Sequence, residues 1–555
     1  MFRSRLFSLI KKYPKFFTPQ RIFKDMAAGF IVAFIAIPLS IALGIASGVG
    51  PTEGLVTAIV AGFFVSLLGG SDVQIGGPTA AFVIIVYNII QQYGTSGLLT
   101  ATVIAGILLI IMGILKLGNL VKYFPYPIIT GFTSGIAVVL FSTQINEFLG
   151  LRLQNIPSEF ILKWEIYFQN LHHTNITTLL IGLSAIYIIN FLPKKLKKFP
   201  TPLFAIIILT IIATYFNLNI ETVGSTFANL GKQSLFKFQM PSTSLQTIMN
   251  LIPPAITIAL LAGLESLLSA VVADEKILKK HASNTELIAQ GIANFASSIV
   301  GGIPATGAIV RTSANINSGA KTPISGITAS LFILLISLLC MDHLKLIPST
   351  VLAAILFGVA FRMFDFKAFK DILKAPKSDT MIFMTTFLLT VFIDLIYAIQ
   401  IGMLFAAISF IKRMSDTTDI YSLEAKHLKG LNSNDIDLIK SLKGISIFEI
   451  SGPFFFGTTA TILEFINNNK NDKAMILLMS KVPTIDSSGY YALLKIHRKC
   501  IDTNTKLFLC QIQRQPLKML KKYGFIEILG RKNFAITLHS AIIKAQKYTQ
   551  ENNIL

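Results

Sequence analysis

The stretch GGIPATGAIVRTSANINSG (Gly301–Gly319) carries one charged residue, Arg311, in a region that is otherwise apolar. An arginine inside an apolar span is costly and marks a functional site by default. Its planar fork of donors suits a planar or tetrahedral oxyanion. The competing explanation is an arginine that snorkels to a membrane edge or pairs with an acid for stability. An acid is available. Glu265 lies near the middle of the run ALLAGLESLLSAVVADE. It could neutralise Arg311, or carry a proton whose gain and loss frees and recaptures the arginine. Burial raises a carboxylate pKa and a neighbouring arginine lowers it, so the sequence leaves both roles open.

Two short segments would have to position these groups. GGPTAAFVII (Gly76–Ile85) and GGIPATGAIV (Gly301–Val310) share paired Gly, then Pro, then Thr and Ala. Proline fits the first turn of a helix and glycine permits close backbone approach. Gly77-Pro78-Thr79 and Pro304-Ala305-Thr306 therefore read as helix starts buried inside a membrane domain, with Arg311 about two turns into the second. Irregular backbone at that depth must be buried in protein or line a cavity. Two helix N-termini facing one another make an anion site.

The rest of the chain supports a membrane scaffold. Of 555 residues, 53% are hydrophobic and 14% charged, against about 25% charged in soluble domains. Apolar segments lie at roughly 25–47, 52–70, 77–92, 97–117, 127–148, 175–192, 201–217, 248–273, 284–300, 305–316, 324–341, 348–362, 379–395 and 397–411. The expected fold is thus a polytopic α-helical membrane protein of fourteen spans. The third and tenth are too short to cross ~30 Å of hydrocarbon. They are seven spans apart. PYPIITGFTSGIAVVL (Pro125–Leu140) and IPSTVLAAILFGVA (Ile347–Ala360) fall at the same offset. An odd offset gives a seven-plus-seven inverted repeat, the plan of many secondary transporters.

Basic residues assign the sides. Arg3, Arg5, Lys11, Lys12, Lys15, Arg21 and Lys24 fall with the first terminus, and the same side collects KKLKK (Lys194–Lys198), DEKILKK (Asp274–Lys280) and the Arg362–Lys377 group. The other side holds Arg152, Lys163, Lys232, Lys237 and Lys345. Both termini are expected in the cytoplasm. The net charge of +21 is explained by these loops rather than by nucleic acid. The first 24 residues lack a separate apolar core with a cleavage site, so the first span is expected to insert uncleaved. Cys340, Cys500 and Cys510 are too scattered for a disulfide framework or metal site. No catalytic triad, Gly-Lys phosphate loop or metal cluster is present. The expectation is a non-enzyme without cofactor, embedded in the lipid bilayer of a cell membrane, the bacterial inner membrane by preference.

After residues 1–24 and the membrane domain at 25–413, residues 414–440 read as a linker and 441–550 as a small α/β domain. ISIFEI, AMILLMS and KLFLCQI read as strands; TATILEFINN, SGYYALLKIHRKC, QPLKMLKKYGF and SAIIKAQKY read as helices. Asp486, Ser487 and Ser488 mark a strand-to-helix passage as capping residues.

DMAAGFIVAFIAIPLSIALG, IGGPTAAF, ALLAGLESLLSAVVADE and AQGIANFASSIVGGIPATGAIVRTSANINSGAKTPISG together resemble the SulP family of anion transporters, over nearly the whole chain. VPTIDSSGYYALL, from Val482, resembles the signature loop of the STAS domain that such proteins carry. The resemblance implies a core domain moving like an elevator against a gate domain, in a homodimer. It implies a substrate site at Thr79 and Ala80, with Ala308, Ile309, Val310, Arg311 and Thr312 opposite. Leu39, Ser40 and Leu43 would form a wall from the first span. Many relatives place a polar Gln or Glu where Leu39 stands, so that contact is either missing or supplied by Ser40, which leaves the identity of the anion open. Glu265 matches an acid of proton-coupled sulfate permeases. Arg311 argues against the sodium coupling of bicarbonate relatives. Ser488 matches the phosphorylated serine of soluble STAS regulators, where phosphate would add about two negative charges near a helix start. The implied function is proton-coupled sulfate symport. The competing readings are a bicarbonate or dicarboxylate carrier of the same fold, and an anion channel or sensor signalling through STAS.

Overall fold

A computed structural model describes residues 4–12, 18–119, 125–153, 156–157, 159–191, 201–227, 234–238, 240–241, 244–393, 395–423, 444–468 and 472–551. The KKLKK run and most of the expected linker lie outside the described residues. Two units are delimited, Met1–Met403 and Leu404–Leu555.

The first unit is helical. Its elements are α1 (Arg5–Lys12), α2 (Pro19–Ala46), α3 (Pro51–Leu68), β1 (Gly76–Gly77), α4 (Val83–Ile114), α5 (Tyr126–Thr143), α6 (Ile145–Leu149), α7 (Phe160–Gln169), α8 (Ile176–Phe191), α9 (Thr201–Tyr215) and α10 (Val223–Thr226). They continue with α11 (Leu245–Ile277), α12 (Ser283–Ile299), β2 (Thr306–Gly307), α13 (Ile309–Asn317), α14 (Ile324–Leu344), α15 (Ser349–Met363), α16 (Phe366–Leu373), α17 (Lys377–Phe392) and α18 (Leu395–Asp416), the last crossing the unit boundary. Each expected apolar segment overlaps one of these helices, the third and tenth entering theirs from β1 and β2. Among the described residues, 8 helices are long and apolar enough to cross a membrane. Gly94, at φ 66 and ψ −170, breaks α4 where the third segment passes into the fourth, a conformation open to residues without a Cβ.

Two groups of helices pack around the site. In the first, α4 packs on α11 and α12, while α14 lies on α2 and α3. In the second, α15 packs on α5, α6 and α8, and α17 on α5. The groups meet where α9 and α15 lie on α2. Ala33, Ile37, Ala205, Leu209, Ala353 and Ala354 fill that apolar contact. The segment between the fifth and sixth apolar runs, read as an outside loop, contains α7. Its Lys163 is buried rather than displayed. The Trp164 indole donates to Ser142 at 3.0 Å, tying α7 to α5.

The second unit holds a five-stranded sheet in the order β3 (Asp419–Ser422), β4 (Ile445–Ser451), β5 (Ala474–Lys481), β6 (Lys506–Cys510) and β7 (Phe534–Ala535). β3 pairs antiparallel with β4 and the remaining pairs are parallel. The expected strands and helices of this domain are present at their expected places. β3 is the difference: it comes from the segment read as linker, where DIYS is too short and polar to announce a strand. Strand residues alternate between two apolar layers. Met475 and Leu477 face the helices Thr459–Asn468 and Ser487–Asp502; Ile476 and Leu478 face Leu538–Glu551. Cover on both faces explains the unbroken apolar runs of β5 and β6.

Burial pushes the Cys500 thiol up to about 11. Burial, with Glu449 nearby, pushes Cys510 up to about 12. Thiolates are the reactive form, so a maleimide at neutral pH is expected to modify neither until denaturant unfolds the domain. Rapid native labelling of Cys510, followed by mass spectrometry, would contradict this packing.

Candidate anion site

The two short segments meet at their extended parts. β1 and β2 pair antiparallel, Gly76 opposite Gly307 and Gly77 opposite Thr306. The Ala308 N–H donates to the Ile75 carbonyl at 2.8 Å, continuing the ladder. This corrects the expected helix starts. Pro78 and Pro304 lie outside any helix, and the helices begin later, as a 3-10 turn at Ala80–Phe82 and as α13 at Ile309. The reason is side-chain competition for the backbone. Asn294 donates to the Ala305 carbonyl and accepts from its N–H, both at 2.8 Å. The Ile303 N–H donates to Thr57 at 2.7 Å. Groups committed sideways cannot close a helical turn.

Arg311 consequently sits in the first turn of α13, not two turns in. Side chains tilt toward a helix N-terminus, so the guanidinium reaches past its own helix start. It is buried, at 2% exposure. Nη2 donates to the Pro78 carbonyl at 3.1 Å and to Ser40 Oγ at 3.3 Å. Among the described residues, Nη1 is buried without a hydrogen-bond partner. Arg311 is thus held by one arm and leaves the other unmatched, against the backbone of Gly77.

Glu265 forms no direct ion pair with Arg311. It accepts a hydrogen bond from Thr79 Oγ1 at 2.8 Å. The two charges are joined through the Pro78-Thr79 dipeptide: arginine on one carbonyl, carboxylate on the next hydroxyl.

The other expected contacts divide. Ser40 faces Arg311 while its own hydroxyl donates to the Ala36 carbonyl at 2.7 Å. Leu39, Leu43, Ala80 and Ala308 are buried, whereas Ile309 and Val310 expose their side chains. The Thr312 oxygen accepts from the Ile75 N–H at 3.1 Å and from Ser269 at 3.3 Å. It holds the two segments together.

Sequence reasoning missed the supporting frame. Gln74 donates to the Ser266 carbonyl at 2.9 Å, and Thr306 donates to the Ala262 carbonyl at 3.0 Å. Asn315 bridges the Val73 carbonyl and Ser325, each at 2.9 Å. Asp25 accepts from the Lys321 N–H at 2.7 Å and from Thr322 at 2.6 Å. Glu286 accepts from the Gly70 N–H at 2.8 Å. The available signal was the polar letters inside apolar runs, since buried polar groups need partners. In the second unit Asp486 caps the helix Ser487–Asp502, accepting from the Gly489 N–H at 2.8 Å and the Phe456 N–H at 3.2 Å. Ser487 is exposed and Ser488 half-buried.

A helical membrane scaffold with two short extended segments paired inside it, an incompletely paired arginine and a linked carboxylate fits a membrane anion transporter. The comparisons agree. The model of the sulfate permease family matches residues 22–386, and that of the STAS domain matches 438–541. The chain is 40% identical to the putative sulfate transporter YvdB of Bacillus subtilis (strain 168), over 93% of this chain and 96% of that protein. It is 31% identical to the bicarbonate transporter BicA of Synechocystis sp., over 92% of each. The solved structure of SLC26A9 superposes with a TM-score of 0.86 at 19% identity, covering 99% of this chain and 94% of that one; this likeness concerns the fold. The chain belongs to the sulfate permease family and is a multi-pass anion transporter with a C-terminal STAS domain.

Proposed function

We propose that the chain imports sulfate together with protons, the α2–α4 and α11–α14 group moving against the α5–α9 and α15–α18 group like an elevator. One observation carries the reading of the site: Arg311 presents an unpaired, buried guanidinium nitrogen while its other arm touches the peptide that holds Glu265. With Glu265 ionised, the single proton of the Thr79 hydroxyl is committed to the carboxylate. Protonated, the carboxyl can donate instead, and the Thr79 hydroxyl turns its proton toward an arriving anion. The proton enters from the outer solution and leaves Glu265 on the inner side, after which the hydroxyl returns to the carboxylate. The small-residue, apolar contact of α2 with α9 and α15 supports sliding between the groups.

Purified protein in liposomes tests this. Labelled sulfate uptake is expected to rise with an inward proton gradient. Glu265→Gln is expected to keep uptake and lose its response to the gradient. An unchanged gradient response in that variant would remove Glu265 from the coupling. Bicarbonate is the second reading, favoured by the similarity to BicA; bicarbonate uptake without sulfate uptake would select it. We further propose a homodimer in the cell membrane with both termini cytoplasmic, and Ser488 as a phosphorylation switch beside the Asp486 cap.

A further inference from the structure

The N-terminal helix α1, RLFSLIKK, presents two different faces. Leu6 and Leu9 are buried. The Arg5 N–H donates to the Gly69 carbonyl at 2.9 Å, where α3 ends. The Arg5 side chain pairs with Asp72, whose other oxygen lies 2.7 Å from Lys279 Nζ. One face is therefore fixed to the first unit, at the end where α2 begins and α3 and α11 finish. The other face is apolar and uncovered: Phe7 is 58% exposed and Ile10 48%. One turn apart, they form a single stripe, with Lys11 exposed beside it. Phe23 and Met26, in the first turns of α2, are also exposed.

What covers the stripe is indicated by charge. Residues 1–24 contain Arg3, Arg5, Lys11, Lys12, Lys15, Arg21 and Lys24, and the first acid is Asp25. Topology requires basic residues near the first span. It does not require them on a helix with a spare apolar face. An apolar stripe flanked by cations, at the level where a membrane helix begins, fits the boundary of an acidic leaflet. We propose that α1 is a docking element for acidic phospholipid, with Phe7 and Ile10 in the acyl region and the basic side chains among the headgroups. Its attachment to Asp72, four residues before β1, makes bound lipid a brace for the loop that leads into the anion site.

The chain contains a single tryptophan, Trp164, so Phe7→Trp combined with Trp164→Phe leaves one reporter on the stripe. Full-length protein is placed in vesicles of brominated phosphatidylcholine, with or without brominated phosphatidylglycerol. Quenching is expected to be at least about twofold stronger with phosphatidylglycerol, and to fall toward the phosphatidylcholine value in high salt. Equal quenching in both vesicles would overturn the preference for acidic lipid. No quenching in either would mean that protein covers the stripe, whether a second copy or another part of this chain. Amide exchange of the unmutated protein repeats the test without substitution: phosphatidylglycerol is expected to slow exchange across Arg5–Lys11 several-fold, and no slowing would overturn the proposal. Neither readout involves transport, so its failure leaves the sulfate reading untouched, and the converse holds.

Discussion

Arg311→Ala is expected to abolish sulfate uptake. Removing one partner of a buried, hydrogen-bonded charge contact costs about 2–5 kcal/mol, or roughly 30- to 4,000-fold in affinity at about 1.4 kcal/mol per tenfold. Alanine removes both the unpaired Nη1 and the Nη2 bonds to Pro78 and Ser40. Arg311→Lys retains the charge but is expected to recover little. A single ammonium cannot hold the Pro78 carbonyl and present a second planar arm to the anion. Initial uptake rates in liposomes, with monodisperse elution as the check on folding, decide the matter. Uptake by Arg311→Ala within about threefold of the parent would place the anion elsewhere.

Gly54→Ala is expected to lower both stability and uptake. Gly54 on α3 faces the backbone oxygen of Ser40 on α2, and an added methyl would overlap it. Gly44 faces the Gly50 carbonyl in the same hairpin. Alanine gains about 1 kcal/mol in helix propensity. Overpacking costs about 1–3 kcal/mol and can cost more. The obstacle here is main chain, which cannot swing aside as a side chain does, so the cost should exceed the gain. Separation of α2 from α3 also withdraws Ser40 from Arg311. A melting temperature lower by a few degrees in detergent, with reduced uptake of sulfate, is the expected result. An unchanged melting temperature would show that the hairpin can open without cost.

Composition and period made the helical scaffold legible, because runs of about twenty apolar residues have few alternatives in any fold. The α/β domain was legible for a related reason. β5 and β6 are buried on both faces and therefore carry unbroken apolar runs, whereas β3 needs only its antiparallel partner and carries no such mark. Arg311 and Glu265 stood out as charges in apolar surroundings. The sequence by itself thus determined the class of scaffold, the second domain and the chemistry of the two groups. Tertiary structure alone decided how they meet: Arg311 on the Pro78 carbonyl, Glu265 on the adjacent Thr79 hydroxyl, with no direct ion pair. It also moved the start of α13 to Ile309 and made Thr312 a tie between the two short segments. The physical reason is the same in each case. Local pattern fixes which groups must be buried, but the partner of a buried donor is chosen among groups hundreds of residues away, once packing has brought them within about 3 Å.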